Sequence, residues 1–147
     1  MILKIIKQNF LYILAVGLSI FLLFFFITCT WIGFEVKSLC VDVSSKYGGT
    51  CLDSLIMSLQ DNTNSFKSRN DAIWALGQIG DPKALPVLQS FYTGNIPDRE
   101  PYNDTISQYE LKKAINLTSG GTNISALIWR CLFPHPVKGG VRGGFCY

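Results

Sequence analysis

Apolar positions along the chain follow two regimes. From Phe10 to Phe34 nearly every side chain is apolar, with Ser19, Thr28 and Thr30 as mild exceptions. No charge occurs between Lys7 and Glu35. Beyond that run, apolar residues recur at the i, i+3, i+4 spacing of amphipathic helices. A helix over 38–47 would carry Leu39, Val43 and Tyr47 on one stripe and stop at Gly48-Gly49. Thr50 can cap a second helix, 51–60, whose inner face holds Leu52, Leu55, Ile56 and Leu59. The segment Asp61 to Ser65 reads as a polar turn. A third helix, 67–79, buries Ala72, Ala75, Leu76 and Ile79 and ends at Gly80.

Punctuation marks the remaining elements. Asp81 is a good N-cap, and Pro82 sits at the first helical position, where its missing N–H costs nothing. Helix 82–92 then presents Ala84, Leu85, Leu88 and Phe91, with a start bent by Pro86 and an end at Gly94. Residues 95–105 form a loop with two prolines. Ser107 and Glu110 form a capping box for helix 107–118, with Ile106 and Leu111 as its hydrophobic staple. Thr122 or Asn123 caps a last helix, 124–133, predicted to turn Ile124, Leu127, Ile128 and Cys131 inward and to end at Pro134 and Pro136. The expected fold is all-α: an N-terminal transmembrane helix, then a short right-handed α-α solenoid of three helix pairs. The domains expected are an anchor over 1–36, a helical-repeat domain over 37–134 and an irregular tail over 135–147.

Length decides how the first apolar run is read. Residues 10–34, at about 1.5 Å each, reach roughly 37 Å and cross a hydrocarbon core of about 30 Å with some tilt. Lys4 and Lys7 flank the run, and Tyr12 and Trp31 stand near its ends. The lipid bilayer is therefore the first expected partner. The positive-inside rule places residues 1–9 in the cytoplasm and the rest outside. A cleaved signal peptide has a shorter apolar region and a small-x-small site, which Ile27-Thr28-Cys29-Thr30 does not supply. Thr28 and Phe26 also fit a lipidated Cys29 poorly. Cys29 is expected to face lipid within the helix.

Composition confirms where the apolar excess lies. The chain has 147 residues, 48% of them apolar, and a formal net charge of +3. That permits one modest domain beside the anchor, and the charge is too small and too spread for nucleic acid as main partner. Four cysteines remain on the outer side, namely Cys40, Cys51, Cys131 and Cys146. An even count in an oxidising compartment suggests disulfides. The sequence-local pairing, Cys40–Cys51 and Cys131–Cys146, is preferred because Cys51 and Cys131 adjoin helices while Cys40 and Cys146 lie in short returning segments. The other two pairings, and buried thiols, stay open. Zinc is not expected, since there is no C-x-x-C and the lone His135 lies between two prolines. No other metal or cofactor is implied.

The run Arg69-Asn-Asp-Ala72-Ile73-Trp74-Ala75-Leu76-Gly77-Gln78-Ile79-Gly80-Asp81-Pro82-Lys83-Ala84-Leu85-Pro86-Val87-Leu88 resembles a HEAT repeat. It is similar to the short HEAT-like repeat also found in phycobilisome lyases, with Ile73 in place of the second alanine of the usual pair. The resemblance implies close helix approach at Gly77, within the repeat. The chain as a whole resembles membrane-anchored bacterial HEAT-repeat proteins, which brings no activity with it.

Helical-repeat units expose surfaces that bind proteins. The leading expectation is a non-enzymatic interaction or assembly scaffold on the extracytoplasmic face, with a protein partner. Trp74, Tyr92, Arg99, Tyr102 and Tyr109 are the candidate contact residues, because aromatic and Arg side chains carry hot-spot chemistry. Asp98, Arg99 and Glu100 read as a solvated turn or part of a recognition loop. A structural subunit of a membrane complex is the alternative, and a lyase-like or chromophore-handling protein stands behind it. No G-x-S-x-G, H-E-x-x-H or P-loop occurs.

Overall fold

A computed structural model describes residues 2–132, with side chains from Asn9 to Arg130. Pro134, His135, Pro136 and Cys146 lie outside the described residues, as does the Cys131 side chain. Within them the chain forms six α-helices and no strand: α1 (Ile2–Tyr47), α2 (Cys51–Gln60), α3 (Phe66–Ile79), α4 (Leu85–Phe91), α5 (Gln108–Thr118) and α6 (Ile124–Leu132).

The expected anchor and the expected helix over 38–47 are one continuous helix. Nothing between Phe34 and Tyr47 breaks it, for that stretch holds neither proline nor glycine. Its surroundings change along its length. Residues 9–24 are exposed on every side. From Cys29 onward one arc turns inward, with Cys29, Val36 and Cys40 buried and Ile32, Leu39 and Val43 half-buried. Cys29 is therefore not a lipid-facing residue. It is 1% exposed and lies on the same arc as Val36 and Cys40.

Local chemistry sets most ends as the sequence predicts. Thr50 accepts from the Asp53 N–H, Ser65 from Ser68 and Asp81 from Lys83. Gly80 takes the left-handed conformation, with φ of 65°, and closes α3. The helix expected over 82–92 splits. Pro82–Ala84 forms a 3-10 turn and α4 proper begins at Leu85. Pro86, with no N–H to give to the first turn, accounts for the split.

The core gathers Leu52, Leu55 and Leu59 of α2 and Ala72, Ile73, Ala75 and Leu76 of α3. Ala84, Leu88, Leu111 and Ala114 join them. Neighbouring α3 and α5 approach closely. A Cβ on Gly77 would stand 2.9 Å from the Ala114 Cα. The close approach expected within the repeat is thus between α3 and the following helix α5.

α6 overturns its predicted facing. Ile124 and Leu127 are exposed, while Ala126 and Trp129 are buried in the core. The helix lies back against α1. Arg130 fixes it there, donating from one guanidinium nitrogen to the Gln78 carbonyl at 2.7 Å and to the Ile79 carbonyl. These are free carbonyls at the C-terminus of α3, where a cation is favoured. Asn123 adds a bond to the Gln78 side chain at 3.0 Å.

Candidate interaction surface

The surface with most candidate residues is the loop between α4 and α5 and the helix ends beside it. Its foundation is Asn70, fully buried in α3. The Asn70 amide donates to the carbonyls of Tyr102 at 2.6 Å and Thr105 at 2.8 Å. Its carbonyl accepts from the Ser107 N–H at 2.9 Å. One side chain thus satisfies three backbone groups of a loop that has no ladder of its own.

Glu100 supplies the second fixed point. Its carboxylate accepts from the Ser107 hydroxyl at 2.6 Å and from the N–H groups of Gln108 and Tyr109 at 2.8 and 3.2 Å. These are the orphan donors at the start of α5, where a negative charge is also favoured. Burial works to raise the Glu100 pKa, but the hydrogen bonds from Ser107, Tyr109 and Gln108 outweigh it and hold the carboxyl below its ordinary value. The capping box is half as predicted. Ser107 accepts from the Glu110 N–H at 3.1 Å, but Glu110 does not reach back. Asn70 has taken the Ser107 N–H, and Glu110 pairs with Lys113 at 3.1 Å. Gln108 ties the far end of the loop, accepting from the Thr93 N–H at 2.8 Å.

On this frame the five candidate residues divide. Trp74 and Tyr92 are half-buried and pack against the core. Arg99, Tyr102 and Tyr109 stay on the surface. The Tyr102 hydroxyl donates to Asp71 at 2.8 Å, and Asp71 pairs with Lys67 at 2.9 Å. Burial, then the Asp71 carboxylate, pushes the Tyr102 phenol well above its ordinary value. The Lys113 ammonium lies 5.1 Å from the centroid of the Tyr109 ring. The outcome is a firmly held patch of aromatic and charged groups, not a cleft with a convergent acid and base. Among the described residues no group of three or more His, Cys, Asp or Glu stands close enough to hold a metal.

A second polar cluster braces the end of α1. The Tyr47 hydroxyl donates to Asp61 at 2.6 Å, and Lys46 donates to Asn64 at 2.6 Å. The hydroxyl of Thr63 and that of Tyr47 hold the Asp61 carboxyl well below the usual carboxylate range. Nearby, the Cys40 and Cys51 sulfurs stand at bonding distance, with Cα atoms 4.9 Å apart. This is one half of the preferred pairing, and the other half falls on Cys131 and Cys146.

Arg69 joins three helices. Its Nε donates to the Leu59 carbonyl at the end of α2 at 2.9 Å, and its guanidinium lies 5.5 Å from the Phe91 ring centroid of α4. An arginine opening the first helix, a left-handed glycine closing it and an Asp-Pro turn into the second are all present in α3 and α4. The profile of the PBS lyase HEAT-like repeat matches residues 68–93, which cover most of α3 and all of α4. The chain carries a HEAT-like repeat. An all-helical array with this unit at its centre is a short helical solenoid, here closed by α6 against α1. No curated protein matches the chain, and no solved structure does.

Asn70, which shapes this surface, and Arg130, which holds α6, were not singled out from sequence, and Glu100 was read only within a charged triplet. Asn70 could have been noticed, because asparagine inside a helix is a poor helix former and wants a tertiary reason. Glu100 lay in a charged triplet indistinguishable from a solvated turn. Arg130 carried no signal, since its target is formed only when α6 folds back.

Proposed function

We propose that this protein is a membrane-anchored, non-catalytic scaffold that presents a HEAT-like domain to a protein partner on the extracytoplasmic face. The observation that carries the reading is the fixed loop surface of Arg99, Tyr102 and Tyr109, held by Asn70 and Glu100. Ordering such groups before binding lowers the entropic cost of association. Tyr and Arg are also the residue types that most often dominate interfaces.

The anchoring part rests on α1. Its most apolar stretch is wholly unburied, and the helix is long and apolar enough to cross a bilayer. The inward arc begins at Cys29, so the lipid-facing span is residues 9–28, about 30 Å of helix and close to one hydrocarbon thickness. This lies nearer the N-terminus than the run over 10–34. Lys4 and Lys7 orient the N-terminus to the cytoplasm, and the Cys40–Cys51 pair suits an oxidising exterior.

Affinity capture of the full chain from native membranes after crosslinking tests the scaffold. A partner captured by the parent and lost from Arg99→Ala with Tyr109→Ala supports it. Recovery of the monomer alone sinks it. Thiol labelling without reductant tests the orientation: Cys40 and Cys51 should resist modification until reduced.

A further inference from the structure

The pattern Asn-x-Ser/Thr, with x other than proline, occurs three times in the chain: Asn103-Asp104-Thr105, Asn116-Leu117-Thr118 and Asn123-Ile124-Ser125. It is the acceptor pattern of N-glycosylation, which on a folded chain needs a surface site. There the asparagine amide and the hydroxyl two residues on must be reached together. The fold separates the three triplets.

Asn123 is engaged as the cap of α6. Its amide donates to the Gln78 side chain at 3.0 Å, and its oxygen accepts from the Ala126 N–H at 3.1 Å. Asn116 and Thr118 lie within α5, where residues two apart do not share a face. The Thr118 hydroxyl is also buried and donates to the Ala114 carbonyl at 2.8 Å. Asn103 differs on each count. The Asp104 N–H donates to the Pro101 carbonyl at 3.0 Å, so Tyr102 and Asn103 are the central residues of a tight turn. Asn70 holds the backbone on both sides of Asn103, through the Tyr102 and Thr105 carbonyls. Asn103, Asp104 and Thr105 are all exposed. Among the described residues, the Asn103 and Thr105 side chains are bonded to none.

We infer that Asn103 is an N-glycosylation site of the folded chain, its donor a glycan carried on a membrane isoprenoid diphosphate. The inference rests on the outward orientation of the domain, the side on which such acceptors are used. The Asn103 amide nitrogen attacks the anomeric carbon of the glycan. The new N–C bond forms as the C–O bond to phosphate breaks. The isoprenoid diphosphate leaves with the electron pair, and the amide proton passes to a base of the transferase. Pro101, two residues before Asn103, is not acidic, so the transferase is of the class that reads Asn-x-Thr alone. α1 runs unbroken from the apolar stretch into the domain, which keeps the turn near the membrane that carries the donor. Because Asn103 adjoins Tyr102, the glycan would flank the surface of Arg99, Tyr102 and Tyr109 and restrict which partners reach it.

The test is a peptide map of the full chain purified from its native membranes. Trypsin cuts after Arg99 and Lys112, so residues 100–112 carry Asn103, while residues 114–130 carry Asn116 and Asn123. The expected result is a glycan mass on the first peptide, located on Asn103 by fragmentation, and none on the second. Asn103→Gln and Thr105→Val should each abolish that mass, and Thr105→Ser should keep part of it. These substitutions fall on exposed, unbonded side chains, so the fold is expected to survive them. A membrane-impermeant amine reagent applied to sealed cells reads the orientation separately at Lys83, which is exposed. Labelled Lys83 with bare Asn103 overturns the inference and leaves the orientation standing. Unlabelled Lys83 with bare Asn103 overturns both. A glycan on residues 114–130 alone, or one on Asn103 that survives Thr105→Val, also overturns it.

Discussion

Asn70 shows how much of this surface depends on one side chain. It is fully buried and meets two carbonyls and one N–H of the loop. Asn70→Ala leaves those groups without their partner, at a cost of about 2–3 kcal/mol. Asn70→Asp is expected to be worse, although it keeps the acceptor for Ser107. It sets a carboxylate oxygen against the Tyr102 and Thr105 carbonyls, where a donor is required. Urea unfolding of the full chain in mild detergent, followed by tryptophan fluorescence, should rank them parent, Ala, Asp. Equal stability of the Ala and Asp variants would contradict the donor role. Gly77 has the opposite character, since here the empty space is the function. Alanine gains up to about 1 kcal/mol in helix propensity. Its Cβ would nevertheless meet the backbone of Ala114 at 2.9 Å, and backbone cannot yield as a flexible side chain does. Overpacking of this kind costs about 1–3 kcal/mol, so Gly77→Ala should lower the unfolding midpoint and Gly77→Val should lower it further.

At the scale of elements, α5 depends on a group outside itself. Its N-terminal donors are satisfied by Glu100, eight residues before Gln108. Because the folded carboxyl titrates below its ordinary value, its contribution is complete above the usual glutamate range. The contribution is lost as pH falls through the folded value. Protection factors for the Gln108 and Tyr109 amides, corrected for intrinsic exchange, should therefore fall several-fold under acid while those of α3 hold. Glu100→Gln should lower the same protection at neutral pH and remove most of its pH dependence. Elements also differ in how far they could be read. α3 and α4 were legible because nearly every position there is constrained locally: Ser65 and Asp81 cap, Gly80 reverses and Arg69 reaches back to α2. α6 was not. Its nine residues offer two apolar arcs, Ile124, Leu127 and Ile128 on one and Ala126 and Trp129 on the other. Periodicity favours the first, and tertiary closure takes the second. The join of anchor and first helix was missed for a related reason. A change of environment near Cys29 alters composition without breaking a helix, and composition is what the sequence displays.

At the scale of the whole molecule, the decisive feature is that α6 folds back on α1 and so closes a very short array. An open stack of three pairs would leave two ends to be covered by polar caps. Here the first and last helices cover each other, and the HEAT-like unit lies between them. The closure is held at two polar points, Asn123 on the Gln78 side chain and Arg130, whose guanidinium burial draws below its ordinary pKa while it bonds the Gln78 and Ile79 carbonyls. Arg130→Met keeps much of the side-chain volume and removes both charge-assisted bonds, at about 2–3 kcal/mol. If closure is a separate step, the loss should fall on α6 alone. Amide protection over 124–132 should drop and the buried Trp129 should become accessible to quencher, while α2 and α3 keep their protection. Uniform loss across all helices would mean instead that α6 and the repeat form one cooperative unit. Arg130→Lys restores a cation but not the planar guanidinium that aims both N–H groups of one nitrogen at the two carbonyls, so it should recover part of the protection. The comparison separates the charge at the end of α3 from the geometry that holds α6 against the anchor.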